Sequence, residues 1–229
     1  MVEDQLMAQL KEELDTLRIT LLTMASHAES AVRRALTALA ERDTDLASGV
    51  RADDAIIDRL ELEVDEQAIR LLSMAPLGAD LRLIAVSMKI SQNLERVGDE
   101  AAKIANRARD LALEPPLKLT LAVPQMAELA LQMLKTALDA FADQNPAVAR
   151  ALIPQDKQVD AHNKEMHRLL TDQMIRDSET IPRCLHWMVI VRSLERIADH
   201  AKNVAEEVVY LCEADDIRHS GKVPTATSG

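Results

Sequence analysis

The sequence predicts an all-α fold of two pseudo-symmetric three-helix bundles, and three observations carry that expectation. The first is composition. Of 229 residues only Phe141, Trp187 and Tyr210 are aromatic and five are glycine, while Ala, Leu, Glu, Asp, Arg and Met dominate. Helices favour Ala, Leu, Glu, Lys and Arg, whereas sheets favour β-branched and aromatic residues. The second is periodicity, with apolar residues recurring at three- and four-residue steps through long segments. The third is a duplicated signature. Leu94-Glu95-Arg96-Val97-Gly98-Asp99-Glu100-Ala101-Ala102-Lys103-Ile104-Ala105 returns a hundred positions later as Leu194-Glu195-Arg196-Ile197-Ala198-Asp199-His200-Ala201-Lys202-Asn203-Val204-Ala205, with six positions identical.

The first segment, from about Asp4 to Glu41, sets Leu14, Leu17, Leu21, Met24, Ala28 and Ala31 on one stripe. Asp43-Thr44 opens a second that runs to about Met74, with an irregularity expected at Gly49. The Pro76-Leu77-Gly78 turn stops it, and Asp80 is expected to cap a third helix reaching Leu113. Pro115-Pro116 cannot lie in a helix interior. Glu114 to Thr120 is therefore read as a linker between a first bundle over 1–113 and a second over 121–219. The fourth helix, about Val123 to Ala142, ends before Gln144-Asn145-Pro146. A fifth runs from Pro146 to about Ile175, with a kink at Pro154. Thr180 is expected to cap a sixth, Pro182 being tolerated in its first turn, and this helix reaches about Glu213. Residues 220–229 are small and polar and read as a disordered tail. The third and sixth helices share a heptad seam: Leu94, Val97, Ala101, Ile104, Ala108 and Leu111 in one, Leu194, Ile197, Ala201, Val204, Val208 and Leu211 in the other.

Charge and motif content remove several function classes. A net charge of −11 without a Lys/Arg block argues against a nucleic-acid partner. Cys184 and Cys212 have no motif spacing and read as reduced thiols. The acidic start, Met1-Val2-Glu3-Asp4, runs straight into an amphipathic pattern, and no apolar run approaches the roughly 20 residues that cross a bilayer. A cytoplasmic protein is expected. No Gly-rich phosphate loop, Ser elbow or Cys–His arrangement is present, so no enzymatic activity is expected either.

The carboxylates carry the remaining chemistry. At about 100° per residue, Glu95 and Asp99 fall opposite the centre of their seam, as do Glu195 and Asp199, so both pairs are expected on an outward face. Like charges one turn apart cost a helix roughly 0.2–0.5 kcal/mol unless a cation offsets them. The second and fifth helices carry Asp54-x-x-Ile57-Asp58 and Asp156-x-x-Val159-Asp160 at one shared spacing. If each of these packs beside a signature helix, four carboxylates converge per half. Such hard oxygen donors suit Mg, Mn or Fe, and also Ca, rather than a thiolate zinc site. His186 and His200 lie near the second signature, but His200 points away from the Glu195–Asp199 line, and a surface or packing role rather than ligation is expected for both. A carboxylate-bridged di-metal oxidoreductase is the alternative from another class. It pairs glutamates with Glu-x-x-His motifs aimed into a bundle core, and this chain lacks the paired histidines. A non-metal structural scaffold, its acids serving only solubility, is the remaining alternative.

At these residues the chain resembles the PhoU family of phosphate-transport accessory and regulatory proteins. The resemblance covers essentially residues 5–219. It rests on both Glu-Arg-[Val/Ile]-x-Asp signatures, the upstream Asp pairs and Ala79-Asp80-Leu81-Arg82. Asn203-Val204-Ala205-Glu206, Tyr210-Leu211 and Asp216-Ile217-Arg218-His219 complete it. It implies paired three-helix bundles and metal clusters on one surface, with Fe, Mn, Mg or Zn as the ions. The implied ligands are Asp54, Asp58, Glu95 and Asp99 in the first half, and Asp156, Asp160, Glu195, Asp199 and Asn203 in the second. Lys103 stands where the second half has Asn203, and its ammonium is expected to compete with a cation. The resemblance further implies a negative regulator of phosphate uptake and phosphate-starvation signalling. Its partners would be the phosphate ABC transporter ATPase and a sensor histidine kinase, with membrane association through those partners only and homodimerisation left open.

Overall fold

Long stretches of good helix formers broken only at Pro, Gly and Asp/Asn caps produce a chain of helices joined by short turns. The computed structural model describes residues 2–74, 77–119 and 121–218, and helix is its regular structure throughout. Pro76, Thr120, His219 and the expected tail at 220–229 lie outside the described residues. Helix α1 spans Val2–Glu41, α2 Thr44–Ser73, α3 Ala79–Ala112, α4 Val123–Ala142, α5 Pro146–Leu152, α6 Asp156–Arg176 and α7 Ile181–Glu213. The last turn of α5 passes into α6 through a 3₁₀ turn, Ile153–Gln155. Pro154 lies there and has no N–H for the α-helical ladder, so the expected kink is realised as this tightened turn.

Three local expectations are corrected. Helix α2 runs unbroken through Gly49. Asp80 is not the cap of α3. Gly78 holds that position at φ 60°, where a side chain would be strained, and Asp80 sits inside the first turn facing the positive helix end. Thr180 likewise does not cap α7 with its side chain. Its hydroxyl donates to the Asp177 carbonyl at 2.6 Å, while Asp177 Oδ1 accepts from the Glu179 N–H at 3.1 Å and starts a 3₁₀ turn that feeds α7. Asp43 does cap α2, its Oδ1 accepting from the Asp45 and Leu46 N–H groups at 2.9 Å each.

Helices α1, α2 and α3 pack on one another, as do α4, the α5–α6 pair and α7, and α3 lies against α7 between the two sets. Every residue of both heptad seams is buried, so each signature helix contributes its stripe to a core. Helices α3 and α7 run antiparallel. Lys89 meets Glu207, Asn93 meets Asn203 and Glu100 meets Arg196 along the crossing. The centre of this ladder falls at Gly98 and Ala198, which are equivalent positions of the hundred-residue repeat. A pseudo-two-fold axis therefore passes through the middle of the signatures. Cys184 is buried and Cys212 half-buried, and both are free thiols. Among the described residues no helix is long and apolar enough to cross a membrane.

Candidate functional site

The signature carboxylates sit at the edges of the α2–α3 and α6–α7 contacts. In the first half, Gly98 allows α2 to approach closely. A Cβ there would lie 2.8 Å from Ile57 Cδ1 and 3.2 Å from Asp54 Oδ1. That approach brings Asp54 to the Asp99 turn of α3. Asp54 is pushed above its ordinary carboxyl range by burial and then by the charges of Asp58 and Asp99. Glu95 is raised by burial and by Asp99, with Glu61 and Asp58 adding to it and Arg96 opposing. The four expected first-half acids thus act on one another. Rather than standing outward in solvent as expected, Glu95 is only 18% exposed and Asp99 36%.

The second half repeats the arrangement. Asp199 is raised by burial, then by Asp156 and Glu195, with Asp160 contributing, and Lys202 opposes. Glu195 is 12% exposed and paired with Arg192. Asp156 is buried, and its Oδ1 has no hydrogen-bond partner. Asn203 is exposed, one turn beyond Asp199, and its amide donates to Asn93 Oδ1 on α3 at 3.2 Å.

The expected competitor in the first half behaves differently. Lys103 acts on Asp54 only at a distance, while its Nζ bonds Glu100 at 3.0 Å. The ammonium seated among carboxylates is Lys202 in the second half, 2.7 Å from Asp156 Oδ2. Sequence reasoning also missed three members of the site. Glu61 and Asp65 continue the Asp54–Asp58 line one turn at a time along α2. Burial and Asp65 raise Glu61. Asn163 occupies the matching place on α6, buried with an unpartnered Oδ1. The shared register of the two Asp-x-x-x-Asp pairs, extended by one turn, is the signal that finds them.

As placed, no three Asp, Glu, His or Cys side chains among the described residues enclose a metal ion. The donor chemistry nevertheless fits a hard cation: half-buried carboxylates crowd together at the cost of raised proton affinity, and Asp156 Oδ1 lacks a donor. Asp54, Asp58, Glu95 and Asp99 would hold such an ion in the first half, and Asp156, Asp160, Glu195 and Asp199 in the second. A bound cation would neutralise the repulsion and draw each helix pair together.

Between the two acid groups, the repeat is broken to useful effect. Glu100 on α3 corresponds to His200 on α7. Glu100 is buried and accepts from Ser193 Oγ at 2.7 Å, Arg196 at 3.0 Å and Lys103 at 3.0 Å. Burial pushes its pKa up, but these three donors together hold it below the usual range. His200 Nδ1 donates to Asn93 Oδ1 at 3.0 Å, a tautomer required because Asn93 Nδ2 already donates to the Lys89 carbonyl. Burial lowers the His200 pKa, as do Arg96, Arg196 and Lys103, against the pull of Glu100. Arg96, Asp99, Glu100 and Lys103 face Arg196, Asp199, His200 and Asn203 around a shallow polar recess on the pseudo-two-fold axis.

The PhoU domain model matches the chain at residues 21–108 and again at 123–208. A phosphate-specific transport system accessory protein PhoU homolog of Pseudomonas putida is 40% identical across 93% of this chain and 84% of its own. The phosphate-specific transport system accessory protein PhoU of Escherichia coli is 34% identical across 93% and 89%. The crystal structure of PhoU from Pseudomonas aeruginosa superposes with a TM-score of 0.87 at 38% identity, covering 90% of this chain and 99% of that one. The phosphate transport system regulatory protein PhoU from Streptococcus pneumoniae gives 0.82 at 28% identity, covering 91% and 99%. The family is one of accessory and regulatory proteins rather than enzymes. Duplicated domains, matching helices and full-length similarity agree, and the chain belongs to the PhoU family.

Proposed function

We propose that this protein is a cytoplasmic negative regulator of phosphate uptake and phosphate-starvation signalling, joining the phosphate ABC transporter ATPase to a sensor histidine kinase. Full-length similarity to accessory proteins of phosphate-specific transport supports the reading. The observation that carries it is the pair of half-buried carboxylate groups disposed about one pseudo-two-fold axis. Two equivalent acidic groups flanking one recess on a scaffold of packed helices suit an adaptor with two matched contact points. Cation occupancy would switch each group from repulsive to cohesive. The test is co-purification of the full chain with the transporter ATPase and, separately, with the kinase's cytoplasmic region. Retention of both at phosphate sufficiency is expected. Retention of neither contradicts the adaptor role.

A further inference from the structure

Pro115 and Pro116 force the chain off the end of α3, and the linker then arches between the two halves. Arg42 fixes that departure. Its left-handed backbone, at φ 57°, directs the guanidinium onto the carbonyls of Leu111 at 2.7 Å, Ala112 at 3.0 Å and Glu114 at 2.5 Å. The linker consequently spans a cavity instead of filling it. The volume is about 1040 Å³, walled by Leu36 and Leu39 of α1, Leu111 of α3, Leu121, Leu131 of α4 and Trp187 of α7. Protein interiors are otherwise close-packed, and pockets that hold small ligands measure roughly 300–1,000 Å³. This space is therefore of ligand size rather than a packing fault.

Its lining dictates the ligand. The walls are aliphatic, and the polar side chains other than Arg42 lie on α1 and α4 at Arg33, Thr37, Glu128, Gln132 and Lys135. A peptide laid along the aliphatic walls would leave most of its backbone N–H and C=O groups facing alkyl side chains, because those polar side chains are confined to one side of the space. An alkyl chain carries no such groups. Arg33, Arg42 and Lys135 outnumber Glu128 around the space, in a chain whose net charge is −11. Arg33 pairs with Glu29 and Lys135 with Asp139, each at 2.6 Å and one turn along its own helix. Such exposed pairs contribute only about 0.2–1 kcal/mol each, so giving them up for another carboxylate costs little. We propose that the cavity under the interdomain linker binds a single-chain amphiphile, alkyl body inside and anionic head at Arg33 and Lys135.

Trp187 is the only tryptophan of the chain and lines the cavity, so its fluorescence reports occupancy. The full chain is titrated with dodecanoate below its micelle concentration, and with dodecanol at the same chain length. Equilibrium dialysis of labelled dodecanoate gives the stoichiometry. Saturable binding of one dodecanoate per chain is expected, with dodecanol about tenfold weaker. Arg33→Gln with Lys135→Gln, both at exposed positions, is expected to lose that preference for the acid. Ala112→Phe, which fills the cavity at a helix end, is expected to abolish binding of both. Absent or unsaturable binding overturns the site. Undiminished binding in Ala112→Phe moves it elsewhere and overturns it equally. Equal affinity for acid and alcohol in the unmodified chain overturns the anionic head.

Discussion

Asp199 illustrates how a single carboxyl group records the function of its neighbourhood. Burial and the charges of Asp156 and Glu195 raise its pKa, so its ionised form is disfavoured in the folded state. For an acid raised on folding, the penalty is present above the folded pKa and is relieved as pH falls through it. A cation achieves the same relief at neutral pH. Asp199→Asn, measured in chelator at pH 7, should therefore raise stability by up to about 0.5 kcal/mol, the scale of one like-charge pair on a helix. Mn²⁺ should raise the Tm of the unmodified chain and raise that of Asp199→Asn less, as ligand linkage requires. A variant less stable than its parent in chelator would contradict this reading. The shared spacing of the acids was legible in the sequence, but their half-burial was not, because it depends on how closely α2 approaches α3 and α6 approaches α7. The partner of Lys202 was not legible either. Lys103 pairs along its own helix with Glu100, three residues before it, whereas Lys202 reaches Asp156 only because α6 packs on α7.

At the level of elements, the two halves solve one packing problem in two ways. Where α2 meets α3, Gly98 faces Ile57; where α6 meets α7, the equivalent residues are Ala198 and Val159. One methyl group has moved from one helix to the other, and Ile57, Val159 and Ala198 are all fully buried. Gly98→Ala gains about 1 kcal/mol of helix propensity but forces a contact whose overpacking costs roughly 1–3 kcal/mol. It should destabilise the chain and displace Asp54, weakening cation binding by the first half. Adding Ile57→Val copies the second half and should restore stability to within about 1 kcal/mol of the parent, a coupling that a double-mutant cycle by chemical denaturation measures directly. Additive effects would contradict the compensation. Helix periods and the Pro154 kink were readable from the sequence because proline and apolar spacing act locally. The start of α3 was misassigned because Asp80 resembles a cap, whereas φ at Gly78 decides where that helix begins; α7 does start after Thr180, but the Asp177 turn rather than the Thr180 side chain leads into it.

Across the whole molecule, Glu100 is the joint between the halves. It belongs to α3, while Ser193 and Arg196, which donate to it, belong to α7. Its folded pKa is depressed, so its stabilising contribution is complete above the unfolded value of about 4.3 and is lost as pH falls through the folded value. Glu100→Gln should cost about 1–3 kcal/mol at pH 7, by leaving buried charged donors undersatisfied. It should also flatten the loss of stability below about pH 4.5, measured by urea denaturation across pH. An unchanged acid limb would show that Glu100 does not join the halves. The same axis sets the two acid groups at equivalent places, and on the function proposed above they carry regulation. The direct measurement is a phosphate-starvation reporter in cells lacking this protein, grown in phosphate-rich medium. They are rescued either by the unmodified chain or by one bearing Glu95, Asp99, Glu195 and Asp199→Ala at matched abundance. The reporter is expected to switch on when the protein is absent and to be silenced by the unmodified chain alone. Silencing by both chains, or a reporter indifferent to deletion, would contradict that function.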